Sequence, residues 1–152
     1  MSWTILLAIL IQIESGGDHS QIGDRHLKNK AYGILQIRQP YLDDVNRIYR
    51  KSILKAYGRP LTMGDIRKSP KLSRWVTVHY LKYYGKKYYD KTGKFPTYEE
   101  YVRMHAGGPN GWRKDSTDLH WSRFRVRLLK HYENRTLMSR EREREKKKKE
   151  AA

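Results

Sequence analysis

Glu14 closes one of the most apolar stretches of the chain, residues 3–13, and is followed at once by Ser15, Gly16 and Gly17. If that stretch is helical, the Glu14 carboxyl lies beside the partly negative helix end and next to Ile11 and Ile13, and both influences predict a raised pKa. A carboxyl group that keeps its proton near neutral pH is what a general acid needs, for example to protonate the oxygen leaving a sugar while positive charge builds on the ring. A solvated helix-end residue is the plainer reading of the same position. A second carboxylate would set the reaction type, because hydrolysis normally pairs an acid with a base or nucleophile, whereas a substrate-assisted reaction needs one carboxylate only. Asp24 and Asp18 are the acids that follow Glu14, although Gly23-Asp24 also reads as a simple turn.

The elements that position these groups follow from spacing. Ser2 suits an N-cap, and the apolar residues of 3–13 surround nearly the whole circumference, the pattern of a helix enclosed by others and stopped at Gly16-Gly17. A polar stretch, residues 18–31, precedes the short β-like run 32–37, which predicts a hairpin or extended flap after the central helix. Pro40, with Leu42, Val45, Ile48, Tyr49, Ile53 and Leu54, predicts a second helix ending at Gly58. Ser69-Pro70 opens a third, running toward Gly85 with a break before Gly93. Thr97 with Glu100 has capping-box spacing and opens a fourth, ending at Gly107-Gly108-Pro109. A fifth spans about 118–132. These give one domain over residues 1–134 and a charged tail, 135–152, expected as frayed helix or disorder because residues 139–152 hold no apolar side chain beyond terminal alanines.

Three segments in this order resemble the lytic transglycosylase and lysozyme-like families: Ile13-Glu14-Ser15-Gly16-Gly17, then Ala31-Tyr32-Gly33-Ile34-Leu35-Gln36-Ile37, then Met104-His105-Ala106-Gly107-Gly108-Pro109-Asn110-Gly111-Trp112. In those families an ES at the end of a buried helix, a G-(I/L)-(M/L/F)-Q-I flap strand and a later N-(A/G)-G loop surround one cleft. The likeness is strongest to small phage or bacterial members with ESGG, a GD turn, a DVNRI segment (here residues 44–48) and an HNGGPNGW loop. It implies a mainly α, lysozyme-like α+β fold: a helical domain around a buried central helix with a small β-hairpin flap. It also implies cleavage of the β-1,4 bond between N-acetylmuramic acid and N-acetylglucosamine in peptidoglycan, by a lytic transglycosylase or a lysozyme.

Carried over by position, the resemblance makes Glu14 the acid/base and Ser15 a polar group near the acetamido sugar. Gln36 and the backbone at Gly33 would line one wall of the cleft, with His105, Gly107 and Gly108 opposite. Asp24 is placed like the second acid of phage-type lysozymes, which would make the reaction hydrolytic. Tyr32, Tyr101 and Trp112 lie within or beside the motifs and are the aromatics expected to reach the cleft, whereas the tyrosines of 80–89 recur at helical spacing and read as packing. Ala106 departs from the pattern, since related loops carry Asn there.

Composition sets the partners. With 33 Lys and Arg against 16 Asp and Glu, the chain carries +17, and the segment 139–152 accounts for only +3 of it. Such a field draws in peptidoglycan strands, anionic wall polymers and nucleic acid alike. A catalytically weak or silent virion structural or nucleic-acid-binding protein on a lysozyme-like shell is therefore the alternative function. The basic segment 123–132 also resembles a membrane-surface helix, though its apolar residues fit a core face. There is no cysteine, no helical His-x-x-x-His pair and no phosphate-binding glycine loop, so neither a metal nor a cofactor is expected. The apolar start lacks a basic leader and a small-residue cleavage site, and at 11 residues falls short of the roughly 20 a span needs. That predicts no signal peptide and no membrane span, and a protein made in the cytoplasm that acts at the bacterial wall or travels in a phage virion.

Overall fold

The computed structural model describes residues 1–150. The Ser2 hydroxyl accepts from the Ile5 amide at 3.4 Å and starts α1 (Trp3–Glu14). Leu6 and Leu10 are fully buried and Ile9 and Ile11 nearly so. Each such side chain contributes about 2 kcal/mol, so tertiary burial is what holds α1 in place. Helices α5 (Pro70–Thr92), α6 (Tyr98–Gly107) and the start of α7 (Asp118–Glu150) share one core with it, through Val76, Tyr80, Leu81, Val102, Met104 and Phe124.

The flap is small. Strands β1 (Ile22–Gly23) and β2 (Ala31–Tyr32) pair antiparallel, with Ile22 opposite Tyr32. Of the predicted β run 32–37 only Tyr32 joins Ala31 in β2, because Gly33 and Gln36 both take positive φ, 75° and 45°, and fold the run into a turn that closes as a Tyr32–Ile37 bridge. Buried Ile34, Leu35 and Ile37 fix this turn to the core.

The second predicted helix is two, α2 (Gln39–Ile48) and α3 (Arg50–Tyr57), broken at Tyr49, whose φ of −106° and ψ of 23° leave the helical region. A further helix, α4 (Met63–Lys68), stands where none is expected, started by a Thr62–Asp65 capping box. The third predicted helix passes straight through Gly85 to Thr92 as α5. Gly85 is buried there because Tyr101 lies over it, and a Cβ at Gly85 would sit 2.6 Å from the Tyr101 hydroxyl. The last helix continues as one piece well past residue 132, and its side chains from 132 to 147 are all exposed. Among the described residues no helix is long and apolar enough to cross a membrane.

Candidate active site

Helix α1 ends with Glu14 pointing into a cleft of about 480 Å³ between the flap and the α6–α7 corner. Ile13, Gly23, Asp24, Gln36, His105 and His120 are among its walls, with Ala106, Gly107 and Gly108 along one lip. The Glu14 side chain is only 11% exposed, and its Oε1 lies 2.7 Å from His120 Nε2 and 3.4 Å from His105 Nε2. On the far side of His105, the Tyr41 hydroxyl stands 3.5 Å from Nδ1, and the Tyr41 ring stacks on Tyr80 at 3.5 Å between centroids. Tyr41, His105, Glu14 and His120 thus form one polar row that is buried up to His120, itself partly exposed.

The raised pKa predicted for Glu14 is overturned. Burial does push the carboxyl upward, but hydrogen bonds and charge from His105 and His120 outweigh it and hold the group at about 2. His120 moves the other way: its hydrogen bond to Glu14 raises its pKa above the ordinary imidazole value despite partial burial. The free site therefore favours a carboxylate beside an imidazole that holds its proton more tightly than usual. Burial, reinforced by neighbouring Tyr80 and the Glu14 charge, pushes the Tyr41 phenol well above its usual range, so Tyr41 stays neutral and can only share its proton.

Asp24 faces the same cleft from the flap. It has a left-handed φ of 48° and is ion-paired with Arg38, whose guanidinium also donates to the Asn29 carbonyl at 2.8 Å. The turn reading of Gly23-Asp24 and the cleft reading hold together, since the turn is what aims the carboxylate. Gly23 is required by close approach: a Cβ there would meet Gln36 Oε1 at 2.1 Å. Asp18 is spent elsewhere, accepting from the Ser20 amide and hydroxyl on the surface.

Five sequence-predicted contacts are not walls of the cleft. Ser15 turns away from it and donates to the Ile34 carbonyl at 2.9 Å, tying the end of α1 to the flap. Tyr32 is held by paired backbone hydrogen bonds to Ile37. Gly33 faces α4, where an added Cβ would lie 3.4 Å from the Ile66 carbonyl. Tyr101 is buried against Trp3, 5.0 Å between ring centroids, and covers Gly85. Trp112 lies beyond the lip, in a second hollow. Tyr41 and Tyr80 are the aromatics that do reach the cleft, so part of the tyrosine cluster combines packing with a wall position. His120, Arg38 and Arg123 also line it and carry no mark in the motifs, and Asp44, the first residue of the DVNRI segment, lines it too. The one available signal for His120 is helical spacing: His120, Phe124 and Leu128 recur every four residues, which puts His120 on the core face of α7.

No family model matches the chain, and no curated protein matches it. Solved structures do. A lysozyme from Tapes japonica is similar at 24% identity with a TM-score of 0.59, over 79% of this chain and 85% of that one. A chain of the complex between Aeromonas hydrophila PliI and Meretrix lusoria lysozyme gives the same identity, coverage and TM-score. With a mostly helical body, a two-stranded antiparallel flap and this likeness, the chain has a lysozyme-like α+β fold.

Proposed function

We infer that the chain cleaves the β-1,4 bond between N-acetylmuramic acid and N-acetylglucosamine in peptidoglycan, by hydrolysis, with Glu14 protonating the departing oxygen. The observation that carries this is a buried carboxylate, bracketed by two imidazoles, at the bottom of an open cleft that a second carboxylate enters from the opposite flap. A bound strand excludes water, and a drier site disfavours the charge-separated pair relative to a neutral acid and a neutral imidazole. The proton shared over the 2.7 Å His120–Glu14 contact then moves onto the carboxyl. Glu14 gives it to the glycosidic oxygen as the C1–O bond breaks, and the Asp24 carboxylate, fixed by Arg38, offsets the positive charge on the sugar. Glu14, now ionised, takes a proton from the water that completes hydrolysis.

The test is mass spectrometry of fragments released from purified peptidoglycan by the parent, Glu14→Gln and Asp24→Asn proteins. Reducing ends that vanish in both variants support hydrolysis. Anhydromuramyl ends that vanish only in Glu14→Gln make the chain a lytic transglycosylase and remove Asp24 from the chemistry. Products that persist in Glu14→Gln end the assignment.

A further inference from the structure

A second hollow, of about 220 Å³, adjoins the first across one lip. Pro109 lines both. The Tyr84 hydroxyl, on the wall of the second, donates at 2.6 Å to Asp44, which lines the first. One wall is a single face of α5, because Tyr84, Lys87, Tyr88 and Lys91 recur at spacings of three and four. The other wall is the loop after α6, with Asn110 and Trp112. Trp112 meets the Tyr88 ring edge-on at 5.0 Å between centroids, and the Arg113 guanidinium lies over it at 4.4 Å. Among the described residues no carboxylate lines this hollow, and both lysines are exposed.

Aromatic side chains offer apolar faces to sugar rings, but two ammonium groups beside them need an anion. An unsubstituted N-acetylglucosamine has none to give. N-acetylmuramic acid has one on its lactyl arm, or several on the peptide attached there. We propose that the second hollow is a subsite for an acid-bearing sugar of the strand held in the Glu14 cleft, with Lys87 and Lys91 pairing with its carboxylate and Tyr88 and Trp112 against the ring. This rests on the peptidoglycan reading of that cleft. Continuity across Pro109 is what assigns the hollow to the same polymer rather than to a separate anion.

Glu14→Gln in the full chain provides a non-cutting protein for calorimetric titration, with a peptide-bearing muramic acid oligomer and with neutral chitohexaose. Adding Lys87→Ala and Lys91→Ala, both at exposed positions, should lower the ratio of acidic to neutral affinity about fivefold, as expected for two solvent-exposed ion pairs. The contrast should shrink in about 0.5 M salt, where exposed charges are screened. An unchanged ratio overturns the second subsite while leaving Glu14-dependent cutting by the parent intact. Failure of the Glu14→Gln protein to bind either oligomer overturns it together with the peptidoglycan reading.

Discussion

Two imidazoles on one carboxylate oxygen make Glu14 a different group from the lone buried acid its place in the sequence suggests. Removing one of them exposes the opposing influence. In His120→Ala, burial remains and one of the two lowering hydrogen bonds is gone, so the Glu14 pKa should climb from about 2 toward its ordinary 4.5, with His105 still holding it down. Carbon-13 NMR titration of the Glu14 carboxyl, with the acidic limb of the pH–activity profile, reads this directly; an unmoved titration would show that His120 does not hold the charge. The pair also links stability to pH. Glu14 has a folded pKa below 4.5, so its contribution is present above that pH and is lost as pH falls toward about 2. His120 has a folded pKa above 6.5, so its contribution is complete below 6.5 and is lost as pH rises through the folded value. Urea midpoints should therefore gain most from the pair between pH 4.5 and 6.5, and a Glu14→Gln protein should show a flatter profile across both edges. Glu14 is legible in sequence because it is the one charged residue of a helix that is otherwise apolar apart from Thr4 and Gln12. Its pKa is not, because the imidazoles that lower it, His105 first and His120 second, come from α6 and α7 at the far end of the chain.

At the scale of elements, the loop after α6 is the most tightly fitted part of the site. A Cβ on Gly111 would stand 1.9 Å from the Arg103 carbonyl oxygen and 2.7 Å from its carbon, so the obstacle is backbone and cannot swing aside. Gly111→Ala should cost about 3 kcal/mol of stability by overpacking, seen as a lowered melting temperature, and should disturb His105, two residues from that carbonyl. A melt equal to the parent's would mean the loop is looser than its packing indicates. Spacing and caps in the sequence predict α1, α6 and the opening of α5, where apolar period and cap residues agree. They misplace the Tyr49 break and omit α4, which is six residues long and owes its start to the Thr62–Asp65 pair. The break that the sequence puts before Gly93 is where α5 ends, and Gly85 within it is the gap that admits Tyr101. At Gly85 the local rule gives way because the deciding contact comes from another helix, α6.

For the whole molecule, charge and shape separate into two parts. The body carries most of the +17, and only +3 belongs to residues 139–152. Deleting those residues should leave the thermal melt and the cutting of soluble oligomers unchanged, because their described side chains are exposed. A fall in melting temperature would show that the far end of α7 supports the core. Phe124→Ala, by contrast, empties a fully buried site where α7 meets the core and should cost about 3–5 kcal/mol, measured by urea unfolding.

Helix α7, 33 residues and about 50 Å long, is anchored at one end only. The hydrogen bonds of its outer half are internal to the helix and have water on every side, so they can open without disturbing Phe124 or α1. Backbone amides of 133–147 should then trade deuterium within seconds, whereas those of Leu6 to Ile11 wait for the body to unfold. Trypsin, offered a run of accessible arginines, should trim this projection first and leave a protected core that retains the cleft.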